Sequence, residues 1–147
     1  MKRSGFSLLE ILIVVAVIGV FASITIVSGS RIMKGQDELA AVSIMKQSLA
    51  TATTAASSRG KALELIYQSA KLDLQEVDSG KIVRTFDLPK QTSLNVSNGT
   101  FLTFSEAGRI DPASLTNLPN PFLMTVQGKK YQLTISLIGE VKAEAIP

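Results

Sequence analysis

The sequence predicts an α+β fold in which one long N-terminal helix is followed by a head of antiparallel strands. Two observations predict it. An uncharged apolar run from Ile11 to Ser30 passes directly into a stretch whose apolar residues recur every three, four or seven positions up to Arg59. After Gly60, apolar and polar residues alternate in short segments that end at turn signals. The 147 residues therefore provide one globular head and a helical stalk before it.

The apolar run is long enough to cross a membrane. As a helix, the segment Ile11 to Ser30 would extend about 30 Å, which is the thickness of the hydrocarbon core of a bilayer. Lys2 and Arg3 precede the run, and Arg31 and Lys34 follow it. Because basic residues flank both ends, their count alone does not fix the orientation of the span.

A carboxylate stands at the start of this run, at Glu10. Facing lipid, an ionised carboxylate costs about 3 kcal/mol or more, so such a residue usually marks a function. A secretory signal peptide cleaved near Gly29 would have a shorter apolar core and no early charge. A plain membrane anchor also leaves Glu10 unexplained. Glu10 is therefore a candidate site residue.

The N-terminal residues carry a resemblance. Lys2-Arg3-Ser4-Gly5-Phe6-Ser7-Leu8-Leu9-Glu10 and the following run resemble the class III leader and N-terminal helix of type IV pilins and type II secretion pseudopilins. The resemblance implies that residues 1–5 are a leader, which prepilin peptidase cleaves between Gly5 and Phe6, and that Phe6 is then N-methylated. Glu10 becomes the fifth mature residue, where this family carries its Glu.

The resemblance also implies how subunits join. Cleavage creates a cationic amine at Phe6, and our hypothesis is that Glu10 of a neighbouring subunit neutralises it. Each charge alone is unfavourable in an apolar phase, so the pair favours assembly in one axial stagger. Small residues in the same helix are candidates for close helix packing, although a lipid-facing helix could carry them equally well. These candidate packing residues are Ala16, Gly19, Ala22 and Ser23.

The family shape is a lollipop, which implies that the helix is continuous from residue 6 to residue 59. Residues 6–30 form its transmembrane and assembly half, and residues 31–59 its amphipathic half. The predicted buried stripe of the amphipathic half is Ile32, Leu39, Val42, Met45, Leu49, Ala52 and Ala56. Its predicted polar face holds Gln36, Glu38, Lys46 and Gln47. Gly60 is suited to cap the helix.

Residues 60–147 are predicted to form the β-rich head. Alternating segments are expected at 63–67, 72–77, 82–88, 94–96, 102–104, 122–126 and 131–137, with a short last strand at Val141. The segment 63–70 is also compatible with a second helix. Turns are expected at Asp78-Ser79-Gly80, Asn98-Gly99, Gly128-Lys129 and Gly139-Glu140, and a loop from Asp111 to Pro121. Asn98-Gly99 predicts a hairpin that joins the strands before and after it.

Short motifs in the head are similar to H-type minor pseudopilins and related minor pilins. They are Arg59-Gly60, Leu88-Pro89, Leu102-Thr103-Phe104 with Gly108, Gly128-Lys129-Lys130-Tyr131 and Ile138-Gly139. The resemblance implies a minor structural subunit. Its implied partners are prepilin peptidase, sister pilins in a filament and the bacterial inner membrane, with the N-terminus cytoplasmic and the head periplasmic.

Composition argues against catalysis. The chain has no His and no Cys, which removes the commonest general base, thiol nucleophiles and the usual soft metal ligands. Asp73, Glu76 and Asp78 cluster near a turn, but their spacing fits no calcium loop. We therefore expect no catalytic residue, no metal and no cofactor.

Charge gives little support for a nucleic-acid partner. Fifteen basic residues face twelve acidic ones, and removing Lys2 and Arg3 with the leader leaves thirteen against twelve. Alternative functions stay open at this point: a soluble exported binding domain released near Gly29, a singly anchored periplasmic enzyme, a major pilin, or a DNA-uptake competence pilin.

Overall fold

The computed structural model describes the backbone of residues 8–146, and the side chains of residues 8–22 and 33–146. The chain divides into two compact units, residues 1–36 and 37–147. The fold is α+β, as predicted, with an N-terminal helix and antiparallel sheets. The elements are α1 (Leu8–Arg59), β1 (Leu63–Gln68), β2 (Lys71–Glu76), β3 (Ile82–Asp87), β4 (Thr92–Leu94), β5 (Gly99–Phe104), α2 (Pro112–Thr116), β6 (Leu123–Val126), β7 (Lys129–Ile135) and β8 (Val141–Ile146).

Helix α1 is a single element of 52 residues that ends where the sequence predicts. Gly60 has a φ of +60°, and the Lys61 N–H donates to the Ala56 carbonyl at 3.3 Å. This is the six-to-one bond of a Schellman cap, for which a glycine in the left-handed region is the preferred residue. The cap turns the chain from the helix into β1.

The first unit consists of helix α1 wherever the structure describes it. All side chains from residue 8 to residue 22 are exposed, and most of them are aliphatic. The predicted membrane span over residues 6–30 includes residues 6–7 and 23–30, whose side chains lie outside the described part. Among the described residues, no helix has an apolar stretch long enough to cross a bilayer.

The second unit contains two four-stranded antiparallel sheets. Their strand orders are β3-β2-β1-β5 and β4-β6-β7-β8. Strand β1 is confirmed over the alternative of a second helix, and it joins β2 through a two-residue turn in which Ser69 and Ala70 both have positive φ. Such turns match the twist of paired strands.

The predicted Asn98-Gly99 hairpin is wrong. Strand β4 pairs with β6 and strand β5 pairs with β1, so the chain passes from one sheet to the other between them. A tight type I′ hairpin needs positive φ at both central residues, and of these two only Gly99 has it, at +132°. Burial of β4 and β5 in different sheets overrides the local turn signal.

The core of the second unit lies between one face of α1 and the two sheets. Met45, Leu49, Ala52 and Ala56 are fully buried, as the predicted stripe requires. The prediction that Leu39 belongs to that buried stripe is wrong, since Leu39 is 75% exposed. Ala41 is buried instead, because it lies one helical turn before Met45 on the same face. Leu39 lies around 200° from Ala41 about the helix axis, so it is on the opposite side of the helix. The position of the Ile32 side chain falls outside the described residues.

The segment Asp111 to Pro121, predicted as a loop, contains the short helix α2. Asp111 is its N-cap, and the Asp111 Oδ1 accepts from the Ala113 N–H at 3.1 Å. Pro112 follows at the first helical position, where its missing N–H has no intrahelical partner to lose. The last strand, β8, runs to Ile146 and is longer than expected.

Candidate functional site

The predicted processing site lies outside the described residues. Gly5 and Phe6 precede Leu8, where the described part of α1 begins. Cleavage after Gly5 and methylation of Phe6 therefore stay predictions from the sequence.

Glu10 stands in the first described turn of α1 and is exposed. Its pairing with the Phe6 amine of another subunit stays a prediction.

The predicted packing residues Ala16, Gly19 and Ala22 are all exposed in the chain. A Cβ added at Gly19 would meet nothing within 4 Å apart from the helix itself. No contact within the described residues therefore requires a glycine here. The side chain of Ser23 lies outside the described part, so helix packing through these four residues stays a prediction.

Glu38 joins helix α1 to the β6–β7 hairpin within the second unit. The Lys129 Nζ lies 2.9 Å from the Glu38 Oε1, and the Tyr131 hydroxyl donates to the Oε2 at 2.7 Å. The hydrogen bond from Lys129, then that from Tyr131, lowers the pKa of Glu38. The same carboxylate raises the pKa of Tyr131 to about 12. The Gln127 amide also donates to the Asp37 carboxylate at 3.0 Å, so two consecutive helix residues hold this hairpin.

Glu76 makes a similar joint at the C-terminal end of α1. Its side chain is 8% exposed and contacts the Lys61 Nζ at 2.8 Å, the Ser79 hydroxyl at 2.8 Å and the Arg59 guanidinium at 3.5 Å. The hydrogen bond from Lys61, then that from Ser79, lowers the pKa of Glu76. A carboxylate held by two cations is poorly suited to bind Ca²⁺. Among the described residues, no cluster of acidic side chains forms a metal site.

Two turns with the same internal hydrogen bonds contact helix α1 at Thr53. We call residues 105–109 the first glycine turn and residues 136–140 the second glycine turn. In each turn, a Ser stands first and a Gly stands three positions later. The N–H of the Gly donates to the Ser carbonyl, and the N–H of the residue after the Gly donates to the Ser hydroxyl oxygen. The bonds are Ser105 N to Arg109 O, Gly108 N to Ser105 O and Arg109 N to Ser105 Oγ, and likewise Ser136 N to Glu140 O, Gly139 N to Ser136 O and Glu140 N to Ser136 Oγ.

Both glycines of these turns lie against Thr53. An added Cβ would stand 2.4 Å from the Thr53 carbonyl oxygen at Gly108, and 2.8 Å from the Thr53 Cγ2 at Gly139. Their φ values are +75° and +82°, which L side chains rarely adopt. One glycine turn follows a strand of each sheet, and both turns contact Thr53. The repeated Ser-x-x-Gly spacing was available in the sequence as a signal.

The comparisons with known proteins concern the N-terminal segment. Residues 1–26 match the family model described as the prokaryotic N-terminal methylation motif. No curated protein and no solved structure matches the chain. The motif supports a type IV pilin-like precursor that prepilin peptidase processes.

Proposed function

We propose that this chain is a minor prepilin of a type IV pilus or of a type II secretion pseudopilus. One observation supports this proposal most strongly. Residues 1–26 match the N-terminal methylation motif, and within that segment the described side chains, those of residues 8–22, are all exposed and mostly aliphatic. A helix that is apolar on all sides needs an apolar environment, which a bilayer and the core of a helical filament both provide.

In this proposal the helix serves twice. Before assembly, residues 6–30 hold the subunit in the inner membrane with the head in the periplasm. After cleavage between Gly5 and Phe6, the same residues pack against the helices of sister pilins. Ala16, Gly19, Ala22 and Ser23 let those helices approach closely.

Glu10 sets the register of assembly. Its carboxylate pairs with the Phe6 amine of a neighbouring subunit, and neither charge has to stand alone in the apolar phase. The proposal of a minor subunit is supported by the resemblance of the short head motifs to H-type minor pseudopilins. The head's own part is to contact sister subunits.

The first test is the intact mass and N-terminal residue of the protein from native membranes, with and without prepilin peptidase. We expect an N-terminus at methylated Phe6 that depends on the peptidase. A start near Ser30 that is indifferent to the peptidase would mean a soluble exported domain and would overturn the proposal.

Glu10→Gln tests the assembly step separately. We expect normal processing at Gly5 and reduced recovery of the subunit in sheared filaments or in cross-linked pseudopili, because the neighbouring amine loses its counter-charge. Glu106→Gln, at an exposed position of the first glycine turn, is the matched control and should assemble normally. Normal incorporation of Glu10→Gln would refute the pairing.

A further inference from the structure

Strand β8 forms one edge of the second sheet. It pairs with β7 over its whole length, from Val141 to Ile146, without a register shift, and no described strand lies on its other side. The open edge of a regular strand can pair with a further strand, and natural sheets commonly protect such edges with bulges or by covering them. The protection of β8 can be compared with that of the other three edges.

The other three edges are covered or irregular. On β4, the Leu94 N–H donates to the Tyr67 hydroxyl at 3.3 Å. On β5, the Thr103 N–H donates to the Ser114 Oγ at 3.3 Å, and the Thr103 carbonyl accepts from the Asp111 N–H at 2.8 Å. The pairing of β3 with β2 contains a register shift. Among the edges that the structure describes, β8 alone is both regular and uncovered.

Backbone hydrogen bonds show which residues of β8 face the open edge. The Ser136 N–H donates to the Glu140 carbonyl, so these residues form a hydrogen-bonded pair next to the first pair of β7 and β8. The Leu133 N–H donates to the Phe122 carbonyl and therefore points away from its partner on β8, Ala143. Bonded and non-bonded pairs alternate in antiparallel strands. The residues whose N–H and C=O groups point to the open edge are therefore Val141, Ala143 and Ala145.

The side chains of β8 are complementary to a second copy of the same strand. Lys142 and Glu144 are exposed on one face, and neither forms an ion pair with another described residue. The other face carries Val141, Ala143 and Ala145. If a second β8 runs antiparallel with Ala143 opposite Ala143, each Lys142 stands opposite the Glu144 of the other copy. Both charge pairs are non-bonded pairs, in which side chains lie closest.

The face of β8 that meets helix α1 has room for a second strand. Ala143 lines a groove of about 410 Å³ together with Leu39 and Val42 of the helix, and Leu39 is 75% exposed. On this face, a second β8 carries only Val and Ala side chains, so no charge enters the groove. Apolar contact beside Leu39 would then add to the backbone hydrogen bonds.

We propose that β8 pairs with the β8 strand of a second copy of this chain, antiparallel and centred on Ala143, which joins two four-stranded sheets into one. The two-fold axis is perpendicular to the sheet, so residues 37–59 of α1 run in opposite directions in the two copies. The pairing itself is independent of the proposed function. One consequence rests on that function: the two copies belong to separate filaments or membranes, because helices anchored in one membrane all run the same way.

Charge reversal tests the pairing in the full chain in detergent, through the dissociation constant of the dimer measured by analytical ultracentrifugation. Lys142→Glu and Glu144→Lys each turn two attractive pairs into repulsive ones, and each should weaken dimerisation by about tenfold. The double variant exchanges the charges and should dimerise like the wild type. Lys90→Glu, at an exposed position next to β4 on the opposite edge of the sheet, is the matched control and should leave dimerisation unchanged.

Single cysteines test the register, because the chain has no Cys of its own. Ala143→Cys places two Cα atoms about 5.5 Å apart across the two-fold axis, within the range of a disulfide, and should give a cross-linked dimer in air. Ala145→Cys, on the same face of the same strand, places its two Cα atoms about 14 Å apart and should not cross-link. Tyrosine fluorescence in urea confirms that the head is folded in each variant.

Three results would overturn the inference. They are a chain that stays monomeric up to about 1 mM, a dimer that survives both single reversals or is not restored by the double one, and cross-linking at position 145 as strong as at position 143. A dimer that none of these changes weakens would assign self-association to the aliphatic side chains of residues 8–22 instead. None of these results would affect the proposed function, which the N-terminus of the processed protein tests.

Discussion

Two stretches of the same helix, α1, differ completely in the burial of their side chains. Residues 8–22 expose every side chain, including Leu12 at 63%. Between residues 41 and 56, the side chains of Ala41, Met45, Leu49, Ala52 and Ala56 are completely buried. Helix propensity does not explain the difference, because both stretches form helix although the first is rich in Ile and Val and the second in Ser and Thr.

The difference shows where the chain obtains its stability. The second stretch packs its stripe against two sheets of the same chain, so its apolar surface contributes to the stability of the head. The first stretch has no such core of its own in the described residues. Its apolar surface is left for a membrane or for other helices, which is how the proposed function uses it.

The largest expected effect tests this comparison with one residue type. Leu49→Ala removes a fully buried side chain and should lower the free energy of unfolding of the head by about 3 kcal/mol, through lost burial and the cavity left behind. Leu12→Ala, in the same helix, should change it by less than about 0.5 kcal/mol. Urea unfolding of the full chain in detergent, followed by tyrosine fluorescence, reports on the head because both tyrosines, Tyr67 and Tyr131, lie there.

Equal destabilisation by the two changes would break the comparison, since it would mean that residues 8–22 contribute to the same folded unit. Reduced filament assembly by Leu12→Ala with unchanged head stability would sharpen it.

The next effect tests how closely the packed helix face meets the sheets. Gly108→Ala should destabilise the head by about 2–3 kcal/mol, because its Cβ meets the backbone carbonyl of Thr53 and its φ is unfavourable for alanine. Gly139→Ala should cost about 1–2 kcal/mol, because its Cβ meets the side-chain methyl of Thr53.

Thr53→Ala distinguishes the two glycine turns. It removes the methyl that obstructs position 139 and leaves the carbonyl that obstructs position 108. In a double-mutant cycle we expect Thr53→Ala to recover about 1 kcal/mol with Gly139→Ala and little with Gly108→Ala. Equal recovery at both positions would contradict the assigned contacts.

A smaller effect tests how completely the head satisfies its own polar groups. The Thr92 hydroxyl is buried and has no hydrogen-bond partner among the described residues. Thr92→Val removes that unpaired group at nearly constant shape and should stabilise the head by about 1 kcal/mol. Thr125→Val, a half-buried control on β6, should change stability by less than about 0.5 kcal/mol. Destabilisation by Thr92→Val would show that the hydroxyl has a partner, such as a buried water.

Local patterns predicted the elements better than their pairing. The helix end at Arg59 and the strand positions follow from periodicity and from glycine, which act over a few residues. The separation of β4 and β5 into two sheets does not, because partners such as β1 and β6 are distant in sequence. The exposure of Leu39 likewise depends on which side of the helix meets the sheets.

The candidate site divides in the same way. Gly5, Phe6 and Glu10 could be predicted from the sequence because their motif is contiguous, and the methylation-motif match covers that segment, while their individual roles stay predictions. Glu38 was assigned to a polar face, and its bonds to Lys129 and Tyr131 could not be predicted, since those partners are about ninety positions away. Long-range charge pairs carry no local periodicity.

The smallest effect at neutral pH concerns the charges that hold the two ends of the packed helix segment. Hydrogen bonds lower the pKa values of Glu38 and Glu76 below the ordinary value of 4.5, so their contribution to stability is present above that pH and lost as pH falls through the folded pKa values. Glu38→Gln with Glu76→Gln should therefore lower stability at pH 7 and flatten its decline in acid. Glu10→Gln is the control, and should leave the acid limb unchanged because residue 10 lies outside the unit that unfolds. An acid limb in the double glutamine variant as steep as in the wild type would show that other carboxylates hold the helix on the sheets.

At high pH the sign of the pH dependence reverses. The pKa of Tyr131 is raised from 10.0 to about 12, so the contribution of its hydroxyl to stability is lost as pH rises through that window. Tyr131→Phe should remove this alkaline loss of stability.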